Sequence, residues 1–429
     1  MEMEILSKEM IKPSSSTPQH LHKHNLSFLD QTAPPTYVHL VFFYDSIISQ
    51  NLKQSLSQVL TRYYPLAGRI TIGQGTDPPY VDCNDAGVQY VETRVHARMS
   101  EVVTEDPNPG DLQNYVWNFQ FDGQIGKIPL SIQSNLFDCG GVAVGVSISH
   151  NIADMASLVM FMNDWSATCR QSQQQLGAVP IDIGPGPEPD FNILSSHFPA
   201  RSSMVTIPSP PPPDESSPAP QRVAMKRFVF GKEILSELKR VGSSSEATDP
   251  SRVEAVTAFL WGSTININSA TTNFAAIHAV NVRSKMIANP SLAARGFGNG
   301  CAQAVALWDG NGLEGQDNNI PALITAKLRG ALRAIDVGKI RDHDQHFGGS
   351  NVEFCIFSSW CRFPVYEVDY GWGKPHWVAT VGVPFKNLVA LLDTRNGDGI
   401  EAWVSMAETD MALVEAKYNR LCMQLATPA

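Results

Sequence analysis

One histidine stands where its surroundings could make it a reagent. His150 opens the run His150-Asn151-Ile152-Ala153-Asp154, directly after the β-branched stretch VAVGVSI at 142–148. The junction between a strand and the helix after it is where α/β proteins present reactive side chains. An imidazole there, with an ordinary pKa of about 6.5, can take a proton from an alcohol or amine near neutral pH. Asp154 follows four residues later, and a helix starting at the histidine would put both side chains on one face. That arrangement allows a base with its orienting carboxylate. The same residues also allow a histidine that caps a helix and an aspartate in an ordinary salt bridge. Eleven histidines in the chain make a single His-x-x-x-Asp match a weak motif by itself.

Other chemistries find less support. No Gly-x-Ser-x-Gly elbow is present, so a serine acyl-enzyme has no basis. The phosphate loop and His-Glu-x-x-His patterns are missing, and Gly296-Phe297-Gly298-Asn299-Gly300 lacks dinucleotide-fingerprint spacing. Asp342-His343-Asp344-Gln345-His346 could bind a metal but reads as a solvated loop or helix end, so no metal is expected. Asp369-Tyr370-Gly371-Trp372-Gly373-Lys374-Pro375 reads as a tight turn around a buried tryptophan. In Asn281-Val282-Arg283-Ser284-Lys285-Met286, the arginine could pair with a carboxylate or a phosphate.

The elements that must hold these residues are readable in outline. Residues 51–63 place Leu52, Leu56, Val59 and Leu60 on one helical face. Residues 80–95 read as two short strands around an Asn-Asp-Ala-Gly turn. After the strand at 142–148, Ile152, Met155, Leu158, Val159, Met162 and Trp165 recur at helical spacing. From about 184 to 220 the chain is dense in Pro, Ser and Gly, which disfavours any helix or inner strand and predicts an extended crossover. A strand from Val223, a helix over 232–241 and a helix from Arg252 capped by Ser251 follow. Residues 319–347 predict an amphipathic helix with Ile324, Leu328, Leu332 and Ile335 on one face, and the last helix runs from about 408 to 425. Two α/β halves joined by a Pro-rich crossover is the simplest account.

Bulk properties narrow the function. A chain of 429 residues fills two ordinary domains, and 43% hydrophobic with 17% charged residues is a globular composition. A net charge of −10 without a long basic run excludes nucleic acid and anionic membranes as natural partners. The N-terminus lacks the apolar core of a signal peptide, the last residues match no lipidation signal, and no stretch reaches membrane-span length. Seven scattered cysteines with no C-x-x-C pair suit a reducing, cytoplasmic setting.

Taken together, the segments around His150, Arg283 and Asp369 resemble, in order and spacing, the BAHD family of plant acyl-CoA-dependent acyltransferases. The resemblance covers nearly the whole chain. It extends to Leu26-Ser27-Phe28-Leu29-Asp30, Tyr64-Pro65-Leu66-Ala67-Gly68-Arg69, Val81-Asp82-Cys83-Asn84, Phe137-Asp138-Cys139-Gly140-Gly141, Met225-Lys226-Arg227-Phe228 and the run from Gly397 to Trp403. The stretches at 81–95 and 137–158 look most like the branch that acetylates alkaloid, terpenoid and simple alcohols. Two positions depart from the family pattern. Tyr370 stands where phenylalanine is usual, and Asn289-Pro290-Ser291-Leu292 replaces a Pro-Pro-Leu-Pro run.

The resemblance implies two chloramphenicol-acetyltransferase-like α/β domains of mixed sheet flanked by helices, joined by a long crossover loop, with a channel between them. The domains would be 1–183 and 223–429, with 184–222 as the crossover. It implies direct transfer of an acyl group, acetyl first and benzoyl or another aromatic acyl as the alternative, from acyl-CoA to a hydroxyl or amine of a small plant metabolite. His150 would be the general base and no acyl-enzyme would form. Asp154 would turn from the channel and pair with Arg283, while Asp369, Gly371, Trp372 and Gly373 would be structural. Ser251, Arg252, Asn281 and Lys285 would lie on the CoA side, where a helix N-terminus and basic residues suit phosphate. Acyl-CoA would be a co-substrate, with no bound cofactor and no obligate protein partner, and the default state a monomer. Condensation domains and chloramphenicol-type acetyltransferases are a nearby class. The former usually double the histidine and place glycine after the aspartate, positions held here by Ser149 and Met155. A non-catalytic binding protein on the same fold is the other reading.

Overall fold

The computed structural model describes residues 2–46, 51–71, 77–104, 107–117, 127–174, 188–201, 222–265, 273–286, 289–308, 320–340, 352–381 and 385–426. Strands are β1 (Met3–Ile11), β2 (Lys23–Asn25), β3 (Tyr37–Tyr44), β4 (Arg69–Thr71), β5 (Tyr80–Asp82), β6 (Val88–Val95), β7 (Leu130–Phe137), β8 (Val142–Ser149), β9 (Val223–Phe230), β10 (Asn273–Asn281), β11 (Cys301–Trp308), β12 (Val352–Ser359), β13 (Trp377–Ala379), β14 (Leu388–Asp393) and β15 (Ile400–Ala407). Helices are α1 (Phe28–Thr32), α2 (Leu52–Arg62), α3 (Met155–Gln174), α4 (Ile193–His197), α5 (Lys232–Val241), α6 (Arg252–Thr264), α7 (Arg283–Met286), α8 (Pro290–Ala293), α9 (Ile320–Arg333) and α10 (Glu408–Ala426). They gather into two compact units. The first comprises Met1–Pro212, Arg283–Cys301 and Phe363–Val381, and the second Pro213–Val282, Ala302–Arg362 and Gly382–Ala429.

The first unit is built on a sheet of order β1-β6-β7-β8-β3-β13, with a small sheet β2-β5-β4 beside it. Neighbours in the large sheet are antiparallel except β6 and β7, so the sheet is mixed. Strand β8 is buried along its whole length, which explains its unbroken apolar and small-residue run. Its Gly145 has a structural reason, because a Cβ there would collide with the Tyr115 carbonyl. Leu52, Leu56, Val59 and Leu60 of α2 are all buried, and α2 packs on α3, where Trp165 Nε1 donates to Ser55 Oγ at 3.1 Å. The second unit has a mixed sheet of order β11-β10-β12-β14-β15-β9. Phe230, Trp261 and Phe357 lie in its core with Leu328 of α9 and Val414 of α10.

Several sequence expectations are corrected here. The helix after β8 begins at Met155, not at His150. Asp154 caps it instead, its Oδ1 accepting from Ser157 N at 3.0 Å, so residues 150–154 form a turn and His150 and Asp154 do not share a helical face. The two strands of 80–95 do not pair with each other. β5 joins the small sheet and β6 the large one, and Asp85 (φ 53°) and Gly87 (φ 92°) turn the chain between them. The Pro-rich stretch does contain a helix, α4. Asp190 Oδ1 accepts from Asn192 N and Ile193 N at 2.8 and 3.0 Å, and Leu194 is buried beneath it. Helix α9 stops at Arg333, leaving Ile335 outside it, because Asp336 accepts from Gly338 N at 2.9 Å and draws the chain into a new turn. Strand β10 ends at Asn281, and residues 283–286, for which no element is expected from the sequence, coil as α7.

No helix among the described residues is long and apolar enough to cross a membrane. No cluster of possible metal ligands occurs among them either, and Asp342 to His346 lie outside the described residues.

Candidate active site

The end of β8 is pinned before His150 begins. Ser149 N donates to Pro129 O and His150 N to Thr36 O, both at 2.8 Å, and Asn151 Nδ2 reaches Ala33 O at 3.1 Å. The half-buried imidazole is then held from a distant part of the chain. Its Nδ1 lies 3.1 Å from Oδ1 of Asn299. The amide of Asn299 has one sensible orientation, because its Nδ2 donates to Asp30 Oδ1 at 2.8 Å and to the His150 carbonyl at 2.7 Å. Its Oδ1 can only accept, so Nδ1 of His150 carries the hydrogen and Nε2 keeps its lone pair. Burial pushes the His150 pKa below its ordinary value, against its own backbone bond, the charge of Asp154 and the Asn299 bond, which raise it. The ring is therefore a neutral base at physiological pH, with the basic nitrogen defined.

Behind Asn299 stands Asp30, in the first turn of α1. Ser27 Oγ accepts from Asp30 N at 3.1 Å, and Ser27 N and Oγ donate to Asp30 Oδ2 at 2.8 and 2.7 Å. Asn299 N adds a fourth donor at 2.8 Å. Burial pushes the Asp30 carboxyl up to about 6, and the Ser27 and Asn299 hydrogen bonds pull against it.

Asp154 faces Arg283. The guanidinium donates from Nη1 to Oδ2 at 2.8 Å and from Nη2 to Oδ1 at 2.9 Å, with only 3% and 4% of the two residues exposed. Gly300 N donates to Oδ2 at 2.9 Å. Burial alone would raise the Asp154 pKa, but the charge and hydrogen bonds of Arg283, with Gly300 N and Ser157 N, hold it down to about 2. Arg283 also donates to the carbonyls of Gly296 and Gly298 at 2.8 and 2.7 Å, fixing the segment that carries Asn299. Gly298 takes φ 130°, and a Cβ on Gly300 would meet the Arg283 Cζ at 2.7 Å. The nearby Cys301 Sγ lies 3.4 Å from Asp154 Oδ2, and burial, then that carboxylate, push its thiol well above the ordinary range, so it is no nucleophile.

The other predicted residues lie elsewhere. Asp369 Oδ1 accepts from Gly371 N and Gly373 N at 2.7 and 3.0 Å, both glycines at positive φ (97° and 98°), and its carbonyl accepts from Arg170. Trp372 sits edge-on to Tyr44 at 5.5 Å and the fully buried Tyr370 packs at 4.9 Å from Trp165, so the motif anchors a turn to β3 and α3. In the second unit, Ser251 completes a capping box with Glu254, and Arg252 donates to Gly397 O and Asp393 Oδ1 at 2.6 and 2.8 Å. Asn281 and Lys285 are exposed. Sequence reasoning missed the roles of Asn299 and Asp30. The closely spaced glycines around Asn299, a sign of tight backbone approach, were the available signal.

A family model described as "Transferase family" matches residues 1–421. Stemmadenine O-acetyltransferase of Catharanthus roseus is 39% identical, with 98% of each chain covered. Vinorine synthase of Rauvolfia serpentina is 38% identical over 96% of each chain. The crystal structure of vinorine synthase superposes with a TM-score of 0.79 at 35% identity, covering 98% of both chains. F. sporotrichioides TRI101, solved with coenzyme A and T-2, gives a TM-score of 0.62 at 17% identity, covering 91% of this chain and 96% of that one, a likeness of fold alone.

Proposed function

The chain belongs to the Transferase family, the BAHD acyl-CoA-dependent acyltransferases, and from that premise we propose how it works. It transfers an acyl group, acetyl foremost, from acyl-CoA to a hydroxyl of a plant specialised metabolite. Its relatives named for acetylation of stemmadenine and for vinorine synthesis support that donor and an alkaloid-sized acceptor. The observation that carries the mechanism is the hydrogen bond from His150 Nδ1 to Asn299, which leaves Nε2 as the proton acceptor. In this reading Nε2 takes the hydroxyl proton while the alcohol oxygen bonds to the thioester carbonyl carbon. The tetrahedral intermediate expels coenzyme A, and the imidazolium returns the proton to the leaving sulfur. No protein nucleophile takes part.

Asp154 is assigned to holding the loop, through Arg283. Asp369, Gly371, Trp372 and Gly373 are assigned to the turn they build. Ser251, Arg252, Asn281 and Lys285 are the residues proposed to meet acyl-CoA, with Lys285 contributing exposed positive charge. Residues 1–183 and 223–429 are the proposed acyltransferase domains, with 184–222 as crossover. Seven free thiols, three of them buried, suit the cytoplasm, and a monomer needing no protein partner is the proposed working state.

The test is thiol release from acetyl-CoA with pooled plant alcohols, comparing the parent with His150→Ala. A loss of about 10²- to 10⁴-fold in a variant that melts like the parent is the expected result. Near-normal turnover would remove His150 from the chemistry.

A further inference from the structure

Asp30 carries a charge that its place in the fold does not require. As the third residue of α1 it closes a capping box, and that duty occupies one oxygen. Oδ2 accepts from Ser27 N and Ser27 Oγ at 2.8 and 2.7 Å. A neutral glutamine closes such a box as well as an acid does. The other oxygen faces the base. Among the described residues Oδ1 accepts from Asn299 alone, from its backbone N and its Nδ2, both at 2.8 Å. Asp30 is 3% exposed, and no cationic side chain bonds to its carboxyl among the described residues. A buried carboxylate left without a cation is costly, so capping alone is a poor account of it.

The charges around it leave it unmatched. Asp154, at the start of α3, and Arg283 of α7 are bonded to each other at 2.8 and 2.9 Å. Arg201 lies over the Phe28 ring, 4.2 Å from its centroid. Two buried carboxylates and one buried guanidinium therefore leave a single negative charge beside a neutral His150. Protonation of His150 during the reaction would balance it. The path from that charge to the base is one amide. Ionised Asp30 draws on the Asn299 Nδ2 hydrogen and so concentrates negative charge on Asn299 Oδ1, the atom that accepts from His150 Nδ1 at 3.1 Å. Asn151 Nδ2 also donates to Asp30 O at 3.3 Å, tying α1 to the residue after the histidine.

We propose that Asp30 is a positioning residue of the reaction, whose negative charge, relayed through the Asn299 amide, holds the His150 Nδ1 hydrogen and stabilises the imidazolium formed when Nε2 takes the acceptor's proton. The proposal rests on the acyl-transfer reading above and adds a further member to its base. It also assigns the acid side of the pH profile. Burial pushes the Asp30 carboxyl up to about 6, against its Ser27 and Asn299 bonds, whereas burial holds His150 below its ordinary value. Turnover should therefore step down as Asp30 takes a proton, while His150 is still a free base.

The experiment measures thiol release from acetyl-CoA, with the best acceptor from the pooled alcohols, from about pH 5 to 8. The parent is expected to lose about tenfold in kcat as pH falls through about 6, the difference between a charge-assisted and a neutral hydrogen bond. Asp30→Asn should be about tenfold slower than the parent at the upper end and meet it at the lower end, with KM for acetyl-CoA unchanged. Structural damage would lower the rate at every pH and give no such convergence. Ser27→Ala removes a bond that holds the carboxyl down, so its step should move to higher pH with the plateau retained. A parent without the step, an Asp30→Asn variant that keeps it, or a Ser27→Ala step that stays in place would overturn the relay. NMR of histidine labelled with nitrogen-15 needs no turnover. The His150 Nδ1 proton, identified by its absence in His150→Ala, should move upfield in the parent as pH falls through about 6 and stay still in Asp30→Asn. A resonance indifferent to pH in the parent rejects the relay. That response without thiol release from any alcohol would support the relay and count against the acyl-transfer reading.

Discussion

Replacing Asn299 by alanine tests the active-site argument where it is most specific. The change removes the oxygen 3.1 Å from His150 Nδ1 and the amide that donates to Asp30 and to the His150 carbonyl at 2.8 and 2.7 Å. As Nε2 takes the acceptor's proton the ring becomes a cation, and the Nδ1 hydrogen bond becomes charge-assisted, worth roughly 1.5–3 kcal/mol. Losing it should lower kcat by about ten- to a hundredfold. A second effect has its own sign. The Asn299 bond raises the His150 pKa against the burial that lowers it, so the variant's imidazole should deprotonate at still lower pH. Plateau activity should fall while the acid limb of kcat/KM moves further into acid. Thiol release measured from about pH 5 to 8, alongside melting curves, reads both quantities. Partial unfolding would lower the plateau without moving the limb in that direction. A plateau within about twofold of the parent, or a limb displaced to higher pH, would refute the assigned tautomer.

Three further outcomes follow from the same geometry. Asp154→Ala leaves the Arg283 guanidinium buried without its carboxylate and should cost about 3–5 kcal/mol in denaturant titration, whereas a variant as stable as the parent but inactive would make Asp154 part of the chemistry. Asp30 has a folded pKa of about 6 against an ordinary 3.8, so its contribution to stability is greatest below 3.8 and is lost as pH rises through about 6. Relative to Asp30→Asn, the parent should therefore gain up to about 3 kcal/mol between pH 7 and 4, and parallel melting curves across that range would contradict it. Below that range Asp154 acts with the opposite sign, its stabilisation fading as pH falls from 3.8 towards about 2. Tyr370→Phe keeps the ring that packs on Trp165, Tyr44 and Trp372, and should change stability by no more than about 1 kcal/mol with turnover retained, as melting and thiol release would show.

What could be read from the sequence was what local periodicity and capping encode. The α2 face, the α5 span between Gly231 and Gly242, and the Ser251 cap of α6 are all local patterns, and each is present. The failures share a cause in tertiary structure. Nothing in residues 80–95 reveals that their two strands belong to different sheets, and the apolar spacing after His150 does not show that Asp154 is a cap. The active site divides the same way. His150 could be singled out because a strand–helix junction is a local signal, but Asn299 is 149 residues away and its role exists only through the contact. Asp30 is a further step removed, since it reaches the histidine only through that asparagine.

The composition of the first unit sets a timetable for its synthesis. Its sheet is edged by β13 and its histidine is held by Asn299, both delivered by segments that follow long stretches of the other unit. A ribosome that has finished residue 212 must add about 170 more before the edge strand at 377–379 is available, on the order of ten to thirty seconds at ordinary elongation rates. Through that interval β3 has an unpaired edge carrying Val41, Phe42 and Phe43, a segment with the character of an aggregation hazard. Heterologous yield should therefore respond to elongation speed and chaperone supply more than to the melting temperature of the finished protein. Dividing the gene within the Pro-rich sequence at 184–220 would give an N-terminal piece without its edge strand or its asparagine.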